Sequence, residues 1–301
     1  MSDIPIRVSG FSKNYGSFSA VKDIDFELVQ GEIFGLLGPN GAGKTTTLEC
    51  LEGLRQPTSG TLRVMGIDPT REPRKLTRMI GVQLQSSGLP DNMTVIEAVK
   101  FFCAYHGVKP RYDLVDRLGL KDKHNVQYGK LSTGLQRRLN LVLAIVHNPP
   151  VVILDEPTAG LDVNSRVELH SVMEELRQSG TTILLATHDM AEAEKMAERV
   201  AILLKGQIVA SGTPRELTAT GSGFTKVSVR TEQDLLIQDG QSFPGVHQSL
   251  LKDEYMVYFT TDPGPTVTTI MDYINVSGDR LIDLRVERPS LEERFLEITN
   301  S

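Results

Sequence analysis

A glycine-rich segment near the N-terminus has the residue types that bind phosphate groups. Residues 38–45 read Gly-Pro-Asn-Gly-Ala-Gly-Lys-Thr and match the P-loop pattern G-x-x-x-x-G-K-[ST]. Glycines let such a loop wrap tightly, so that backbone N–H groups point at phosphate oxygens, and the following helix adds the positive end of its dipole. Lys44 would reach the β- and γ-phosphates, and the Thr45 hydroxyl would bind Mg²⁺. The segment predicts binding of a nucleoside triphosphate; a Gly-rich turn with an exposed lysine is the weaker alternative. The residues expected around the nucleotide here are Gly38, Asn40, Gly41, Ala42, Gly43, Lys44, Thr45 and Thr46.

Two carboxylates follow an apolar run that reads as a buried strand. Residues 151–154 are continuously apolar, and Asp155 and Glu156 come directly after them. In parallel α/β sheets, ligand sites lie at the carboxyl edge of the strands. Asp155 is therefore expected to hold Mg²⁺, and Glu156 to activate the attacking water as a general base. Taken alone, the pair is equally well explained as an acidic turn before Pro157.

A histidine follows the next apolar run along the chain. His188 comes shortly after residues 181–185, which also read as a strand. Since neighbouring parallel strands end at one edge, His188 is expected near the two carboxylates, where it would hydrogen-bond the γ-phosphate and orient the water. A lone histidine is more often structural, and only the company of the other residues favours the catalytic interpretation.

The elements that must position these residues alternate between strands and helices. Alternating or apolar stretches at 6–8, 24–28 and 33–37 predict strands, and 45–54 predicts the helix after the P-loop. Residues 94–145 read mainly as helices, with Thr94 and Glu97 at capping-box spacing. Apolar runs at 151–154 and 181–185 with a helical stretch at 165–178 between them favour a buried parallel sheet. The expected fold class is α/β.

The composition changes at residues 221–223, Gly-Ser-Gly. Beyond them, strands are expected at 225–230, 255–260 and 280–285, and helices at 266–274 and 290–298. Ser290 and Glu293 have capping-box spacing at the start of the last helix. We therefore expect a first domain over residues 1–220 and a small α+β domain over 221–301.

Composition and charge narrow the range of partners. The 301-residue chain is 40% hydrophobic and 23% charged, as ordinary globular proteins are. Its net charge of −6, its 6% aromatic content and its lack of Trp argue against a nucleic-acid partner. The isolated Cys50 and Cys103 predict neither a disulfide framework nor a zinc site. We expect no secretory signal, because the start has no basic stretch followed by an apolar one. Apolar runs of about six residues are far too short to span a membrane, so another chain would supply any span.

Residues 131–138 read Leu-Ser-Thr-Gly-Leu-Gln-Arg-Arg, which resembles the signature L-S-G-G-x-Q-x-R of ATP-binding-cassette (ABC) ATPases. The other motifs of that family are matched in the same order. They are the A-loop aromatic at Tyr15, the P-loop, the Q-loop at Gln85, the Walker-B carboxylates at Asp155 and Glu156, the D-loop at residues 160–162 and the H-loop at His188. The resemblance covers about residues 4 to 215. It implies a P-loop NTPase core of ABC type, with a mixed sheet, a helical subdomain at about 86–145 and an antiparallel β subdomain.

The resemblance also implies roles for residues outside the P-loop. Tyr15 would stack on adenine, and Gln85 would contact Mg²⁺ or the attacking water and sense a transmembrane partner. Ser132 and the Gly134 N–H would contact the γ-phosphate of ATP held by a second subunit, and Asp162 would communicate across that dimer. Two subunits would thus close head-to-tail on two Mg-ATP molecules.

The sequence departs from the family pattern in the signature segment, residues 131–138. Thr133 replaces the first glycine, where its Cβ would disfavour a positive φ or a close approach, and Leu135 stands where Gln is usual. Near the Q-loop, Gln83 is a second candidate, but the alignment of residues 80–81 favours Gln85.

The resemblance implies the ATPase subunit of an exporter whose permease is a separate chain. Residues 31–60 and 289–296 are similar to the branch that moves drugs, antibiotics, lipids or polysaccharide precursors. In that branch a similar C-terminal domain helps dimerise or regulate the subunits, or only stabilises them. The subunit would be peripheral on the cytoplasmic face of the membrane and pair with itself or a related ATPase.

Two other functions stay open. One is a soluble ABC ATPase in translation, DNA maintenance or iron–sulfur assembly, although the single P-loop, the absence of heptads and the C-terminal extension disfavour it. The other is a P-loop kinase or nucleotide-regulated switch, which would not need residues 132–138.

Overall fold

The computed structural model describes residues 4–83, 88–219, 224–238 and 242–300. The chain divides into two compact units, Met1–Pro214 and Arg215–Ser301. The first unit has two β-sheets and the second has one among the described residues, and each unit has its own hydrophobic core. The predicted boundary between residues 220 and 221 falls outside the described ranges, so that boundary stays a prediction.

The elements follow one another with short connections. The strands are β1 (Ile6–Tyr15), β2 (Phe18–Leu28), β3 (Ile33–Leu37), β4 (Ser59–Val64), β5 (Ile80–Gln83), β6 (Val151–Asp155), β7 (Thr182–Thr187), β8 (Arg199–Leu204), β9 (Gln207–Gly212), β10 (Thr225–Thr231), β11 (Val246–Lys252), β12 (Tyr255–Thr260) and β13 (Leu281–Glu287). The helices are α1 (Lys44–Leu51), α2 (Pro73–Leu76), α3 (Val95–Tyr105), α4 (Tyr112–Val115), α5 (Thr133–Ile145), α6 (Val163–Gln178), α7 (Met190–Met196), α8 (Pro214–Ala219), α9 (Leu235–Gln238), α10 (Pro263–Ser277) and α11 (Leu291–Asn300). One π-helical turn (Asp116–Leu120) and two 3-10 turns (Lys121–Lys123 and Tyr128–Lys130) lie between α4 and α5.

The central sheet of the first unit has the order β5-β6-β7-β3-β8-β9. Neighbouring strands are parallel from β5 to β8, and β9 is antiparallel to β8. Every residue of β3, β6 and β7 is buried, because helices and the second sheet cover both faces of such a sheet and favour continuous apolar runs. The predicted parallel pairing of β6 with β7 is confirmed.

A second, antiparallel sheet of the first unit has the order β2-β1-β4. Its inward side chains, among them Ile6, Val8 and Leu62, share one core with Leu36 and Leu184 of the central sheet. The stretches predicted at 6–8 and 24–28 are the parts of β1 and β2 in which buried and exposed residues alternate strictly; the rest of each strand has an irregular burial pattern and was not predicted.

The region between β5 and β6 is helical. Helix α3 begins after Thr94, whose side chain accepts a hydrogen bond from the Glu97 N–H while Glu97 Oε2 accepts one from the Thr94 N–H at 2.8 Å. The predicted capping box is therefore present. The mixed sheet, this helical region and the antiparallel sheet together confirm the expected α/β fold class and match the three parts that the resemblance implies.

The second unit is an α+β sandwich of one sheet and its helices. The antiparallel sheet has the order β11-β12-β10-β13, and Ile270 and Ile274 of α10 are buried with Val227 and Tyr258 of the sheet. Strand β11 was not predicted, because most of its residues are exposed and it lacks an apolar run. Ser290 caps α11 through the Glu293 N–H at 3.2 Å, as the spacing predicts.

Within the described ranges, no helix has the length and apolar character needed to cross a membrane. Cys50 and Cys103 are both buried.

Candidate functional site

Three neighbouring strands end together at one edge of the central sheet. Leu37 at the end of β3 is level with Thr187 at the end of β7, and Asp155 at the end of β6 is level with Ala186. The P-loop follows β3, the two carboxylates lie at the end of β6, and His188 follows β7. The strand order therefore brings all the residues predicted from their local patterns to the same edge.

Two glycines of the P-loop are required by the surrounding backbone. Gly43 has φ 110°, and a Cβ there would lie 2.6 Å from the Ala20 carbonyl oxygen. At Gly38 a Cβ would lie 2.2 Å from the Leu203 carbonyl oxygen. Since real Cβ atoms do not approach oxygen so closely, a side chain at either position would displace the loop.

Lys44 is the first residue of α1 and lies almost completely within the site, with 6% of its surface exposed. Its Nζ donates a hydrogen bond to the Gly38 carbonyl oxygen at 2.6 Å and lies 3.4 Å from Oε1 of Glu156. A buried ammonium ion in this position offers its charge to an anionic ligand held in the loop.

The hydroxyl of Thr45 donates a hydrogen bond to Oδ2 of Asp155 at 2.9 Å. Asp155 is 3% exposed, and its Oδ1 has no hydrogen-bond partner among the described residues. Burial raises the pKa of Asp155, and the neighbouring Glu156 charge raises it further, against the hydrogen bond from Thr45. A hydroxyl and a carboxylate with an unpaired oxygen are the hard ligands that Mg²⁺ prefers, so this pair fits that ion.

Glu156 contacts the histidine that was predicted to accompany it. Oε2 of Glu156 lies 2.7 Å from Nδ1 of His188. The glutamate side chain is 7% exposed and the histidine side chain 52% exposed, so the pair joins a buried base to an accessible imidazole. This arrangement can accept a proton from water and hold the base in one orientation.

The backbone of Glu156 adopts an unusual conformation that its neighbours hold in place. Its φ is 50°, in the left-handed region that costs L-residues about 1 kcal/mol or more. Its N–H donates to the Ala186 carbonyl at 2.9 Å, and its carbonyl accepts a hydrogen bond from Nη1 of Arg137. Arg137 was not predicted as a site residue from the sequence, although its place in the signature segment could have indicated a role.

A cavity of about 360 Å³ opens in front of the P-loop. It is lined by Tyr15, Phe18, Ala20, Pro39, Asn40, Gly41, Gly43, Lys44, Thr45, Thr46 and Glu156. Tyr15 is 40% exposed, and Nζ of Lys13 lies 5.0 Å from its ring centroid. Phe18 is 63% exposed and lies opposite Tyr15 in the β1–β2 pairing. It was not predicted as a site residue. The sequence feature that could have identified Phe18 is its position as a second aromatic residue across a two-residue turn from Tyr15.

The signature segment forms the start of α5. Ser132 is the N-cap of this helix, and its hydroxyl accepts the Leu135 N–H at 3.4 Å. Thr133 is the first helical residue and has no positive φ, so its Cβ meets no such backbone requirement; the effect of the Cβ on a close approach stays a prediction. A Cβ at Gly134 would lie 3.4 Å from Leu161, an ordinary contact distance. As far as the structure describes the chain, the cavity lining includes neither Ser132 nor Gly134.

Asp162 is the N-cap of α6 and holds the start of that helix. Its Oδ1 accepts the Ser165 N–H at 2.9 Å, and the Ser165 hydroxyl donates to its second oxygen. The Ser165 hydroxyl lowers the pKa of Asp162, and Arg138 contributes in the same direction. Arg138 also donates to the Ser165 hydroxyl, so α5 and the start of α6 are connected.

Gln85, predicted to contact Mg²⁺ or water, lies outside the described residues. Gln83 is buried at the end of β5, and its Oε1 has no hydrogen-bond partner in the described part of the chain. Gln83 lines a cavity of about 480 Å³ together with Phe101 and Met93.

The known proteins that this chain resembles belong to one family. Residues 21–159 match the family model described as ABC transporter. The chain is 34% identical over 310 residues to the Nod factor export ATP-binding protein I of Paraburkholderia xenovorans (strain LB400), a match covering 99% of this chain and 98% of the relative.

Solved structures have the same fold. An ATP-binding subunit of an ABC transporter is 27% identical, with a TM-score of 0.67 over 71% of this chain and 92% of the other. A dimeric bacterial ABC transporter cassette has a TM-score of 0.64 at 24% identity, over 69% of this chain and 98% of the other, and this likeness supports the fold alone.

Proposed function

Because this chain belongs to the ATP-binding subunits of ABC transporters, we propose that it hydrolyses ATP as one half of a closing dimer that drives a separate transmembrane permease. The observation that carries the proposal is the convergence of one cation, one hydroxyl, two carboxylates and one imidazole on the P-loop edge. Acid–base and phosphate-binding groups at one edge support cleavage of a phosphoanhydride bond.

The residues of the site have distinct tasks in the proposed reaction. The P-loop N–H groups and Lys44 bind the β- and γ-phosphates, and Tyr15 stacks on the adenine ring. Thr45 and Asp155 would hold Mg²⁺, which neutralises phosphate charge when it is bound. Glu156 accepts the proton of the attacking water, and His188 orients Glu156 and the γ-phosphate. Gln85 belongs to the same set by its place in the family pattern.

The second subunit completes the site in this proposal. Ser132 and Gly134 lie on the surface at the start of α5, where the positive end of the helix dipole favours an anion. The γ-phosphate bound by one copy would contact this segment of the other, and hydrolysis would remove the contact. ATP therefore closes the dimer and its hydrolysis reopens it, with Asp162 communicating between the two copies.

A groove beside β5 is the proposed docking place of the permease. The cavity of about 480 Å³ is mainly apolar, and Phe101 is 60% exposed at its rim. Gln83 and Gly88, which stand on either side of residues 84–87, both line it. A partner helix seated there would contact the residues that flank the Q-loop in the sequence, so that nucleotide state and permease conformation can be coupled.

Export is proposed from the relatives, which are named for Nod factor export. The chain would then work at the cytoplasmic face of the membrane, where ATP is supplied. Its permease would recognise the exported molecule.

Substitution of the general base tests the proposal. Glu156→Gln should bind ATP, lose turnover and form a stable dimer only when ATP is added, measured by size exclusion with light scattering. Lys44→Met in the same background should not dimerise, because its phosphate contact is lost. An exposed lysine replaced in the same way, Lys75→Met, is the matched control and should dimerise. A Glu156→Gln protein that hydrolyses ATP at the unmodified rate, or that stays monomeric with ATP, would contradict the proposed function.

A further inference from the structure

We propose that Arg137 is a positioning residue for Glu156, through which helix α5 controls the general base of its own copy. The inference rests on the proposed function, because it needs Glu156 to act on water and Ser132 to meet the nucleotide of a second subunit. It adds a residue to the site and a route by which one site can affect the other.

The first observation is that Arg137 holds the backbone of Glu156 and not its side chain. The carbonyl oxygen of Glu156 accepts a hydrogen bond from Nη1 of Arg137 and a second one from the Ala159 N–H at 3.3 Å. Its N–H is bound to Ala186 of β7 at 2.9 Å. These three bonds fix a residue whose φ of 50° is costly by itself, so removing one of them releases the peptide toward less strained conformations.

The second observation concerns the helix that carries Arg137. Ser132 caps the N-terminus of α5, and Arg137 follows in the same continuous helix, about 7.5 Å further along its axis at 1.5 Å per residue. Because a helix moves nearly as a rigid body, a displacement at Ser132 is passed to the Arg137 guanidinium. Contact of Ser132 with a partner's γ-phosphate would therefore reach Glu156.

The third observation is that the next residue of α5 holds the other end of the same segment. Arg138 donates to the Ser165 hydroxyl and, at 3.2 Å, to Glu168. The consecutive arginines thus connect α5 to both ends of residues 156–165, which run from the general base to the first turn of α6. A movement of α5 would therefore displace both ends of residues 156–165.

The guanidinium group suits this task better than an ammonium group. Its donors are fixed in one plane and point in set directions, whereas the Lys ammonium is a point charge on a flexible stem. Arg137→Lys should keep part of the bond, and Arg137→Met should keep the length and lose the donor.

Steady-state kinetics of the full-length chain test the inference. For Arg137→Met we expect kcat to fall about 10- to 100-fold, since small displacements of a reacting group cost that much, while KM for ATP stays within about 2-fold. Arg137→Lys should lie between Arg137→Met and the unmodified protein. The matched control is Arg117→Met, which removes an exposed ion pair to Glu175 and should leave kcat unchanged.

A double substitution separates positioning from a purely structural role. In the Glu156→Gln background the base is already missing, so adding Arg137→Met should change the residual turnover by less than about 2-fold. ATP-driven dimerisation of the double variant should be retained. If Glu156→Gln alone failed to dimerise, the proposed function would be wrong, irrespective of Arg137.

Two outcomes would overturn the inference while leaving the proposed function intact. One is an unchanged kcat in Arg137→Met. The other is a loss of kcat that Glu156→Gln does not suppress. If Arg137→Met does not fold, Arg137→Lys is the deciding variant. A lower ATP affinity or melting temperature of Arg137→Lys without a selective fall in kcat would also reject the positioning role.

Discussion

Nδ1 of His188 lies 2.7 Å from Oε2 of Glu156, and this contact joins the ends of two neighbouring parallel strands. The two residues are 32 positions apart in the chain. The contact makes the imidazole and the carboxylate one unit, so each depends on the other for its orientation.

Removal of the imidazole should therefore impair turnover more than binding. We expect His188→Ala to lower kcat by about 100-fold while nucleotide affinity changes by less than about 3-fold, since the phosphates are bound mainly by the P-loop. Phosphate release and binding of a fluorescent ATP analogue measure the two quantities. His124 also pairs with a carboxylate, Asp116, at 2.9 Å, so His124→Ala is the control and should leave both unchanged. An equal loss of affinity and kcat in His188→Ala would exclude the proposed task.

The Thr45 hydroxyl can be tested with a pair of matched variants. Thr45→Val keeps the shape of the side chain and removes the oxygen, whereas Thr45→Ser keeps the hydroxyl. We expect Thr45→Val to need about 10-fold more Mg²⁺ for half-maximal turnover, because one hard oxygen ligand is lost, and Thr45→Ser to resemble the unmodified protein. Magnesium titrations of ATPase activity measure this. Identical titrations for the two variants would remove Thr45 from the metal site.

Glu52 should make stability depend on pH. Burial, helped by the charges of Asp155 and Glu49, raises the pKa of Glu52 from 4.5 to about 8. A carboxyl whose pKa is raised by folding contributes stability that is complete below about pH 4.5 and is lost as pH rises through about 8. Glu52→Gln should therefore become more stable than the unmodified protein between pH 5 and pH 9, with a change on the order of a few kcal/mol.

Urea unfolding at several pH values measures this change in the free energy of unfolding. Glu72→Gln, which alters an exposed carboxylate paired with Lys75, is the control, and its stability should change with pH as that of the unmodified protein does, because Glu52 is still present. Parallel stability curves for Glu52→Gln and the unmodified protein would contradict the raised pKa.

Thr133 should not impair the signature segment. Thr133 is the first residue of α5 and has no positive φ. Replacing it with the glycine of the family pattern should therefore relieve no backbone strain. We expect Thr133→Gly to leave kcat within about 2-fold and to lower the free energy of unfolding by up to about 1 kcal/mol, from the greater flexibility of glycine. Thermal melting and turnover check both points. A clear rise in kcat would mean that the threonine Cβ obstructs the partner's nucleotide.

The local parts of the site were readable from the sequence. The P-loop is a continuous segment whose function depends on backbone conformation, so its glycines, Lys44 and Thr45 stand at fixed spacing. The carboxylates follow a continuously apolar run, because a strand buried on both faces leaves its polar residues at its end. Capping boxes at Thr94 and Ser290 were equally readable, since they join residues only three positions apart.

Contacts between distant segments were decided by the tertiary structure. The sequence predicted that His188 lies near the carboxylates, but its direct contact with Glu156 depends on how the ends of β6 and β7 pack. The same holds for the Arg137 contact to the Glu156 carbonyl and for Phe18 in the cavity wall. The sequence determined which chemical groups are present and on which elements; the packing of those elements determined which groups touch, because hydrogen bonds and ion pairs act only over a few ångströms.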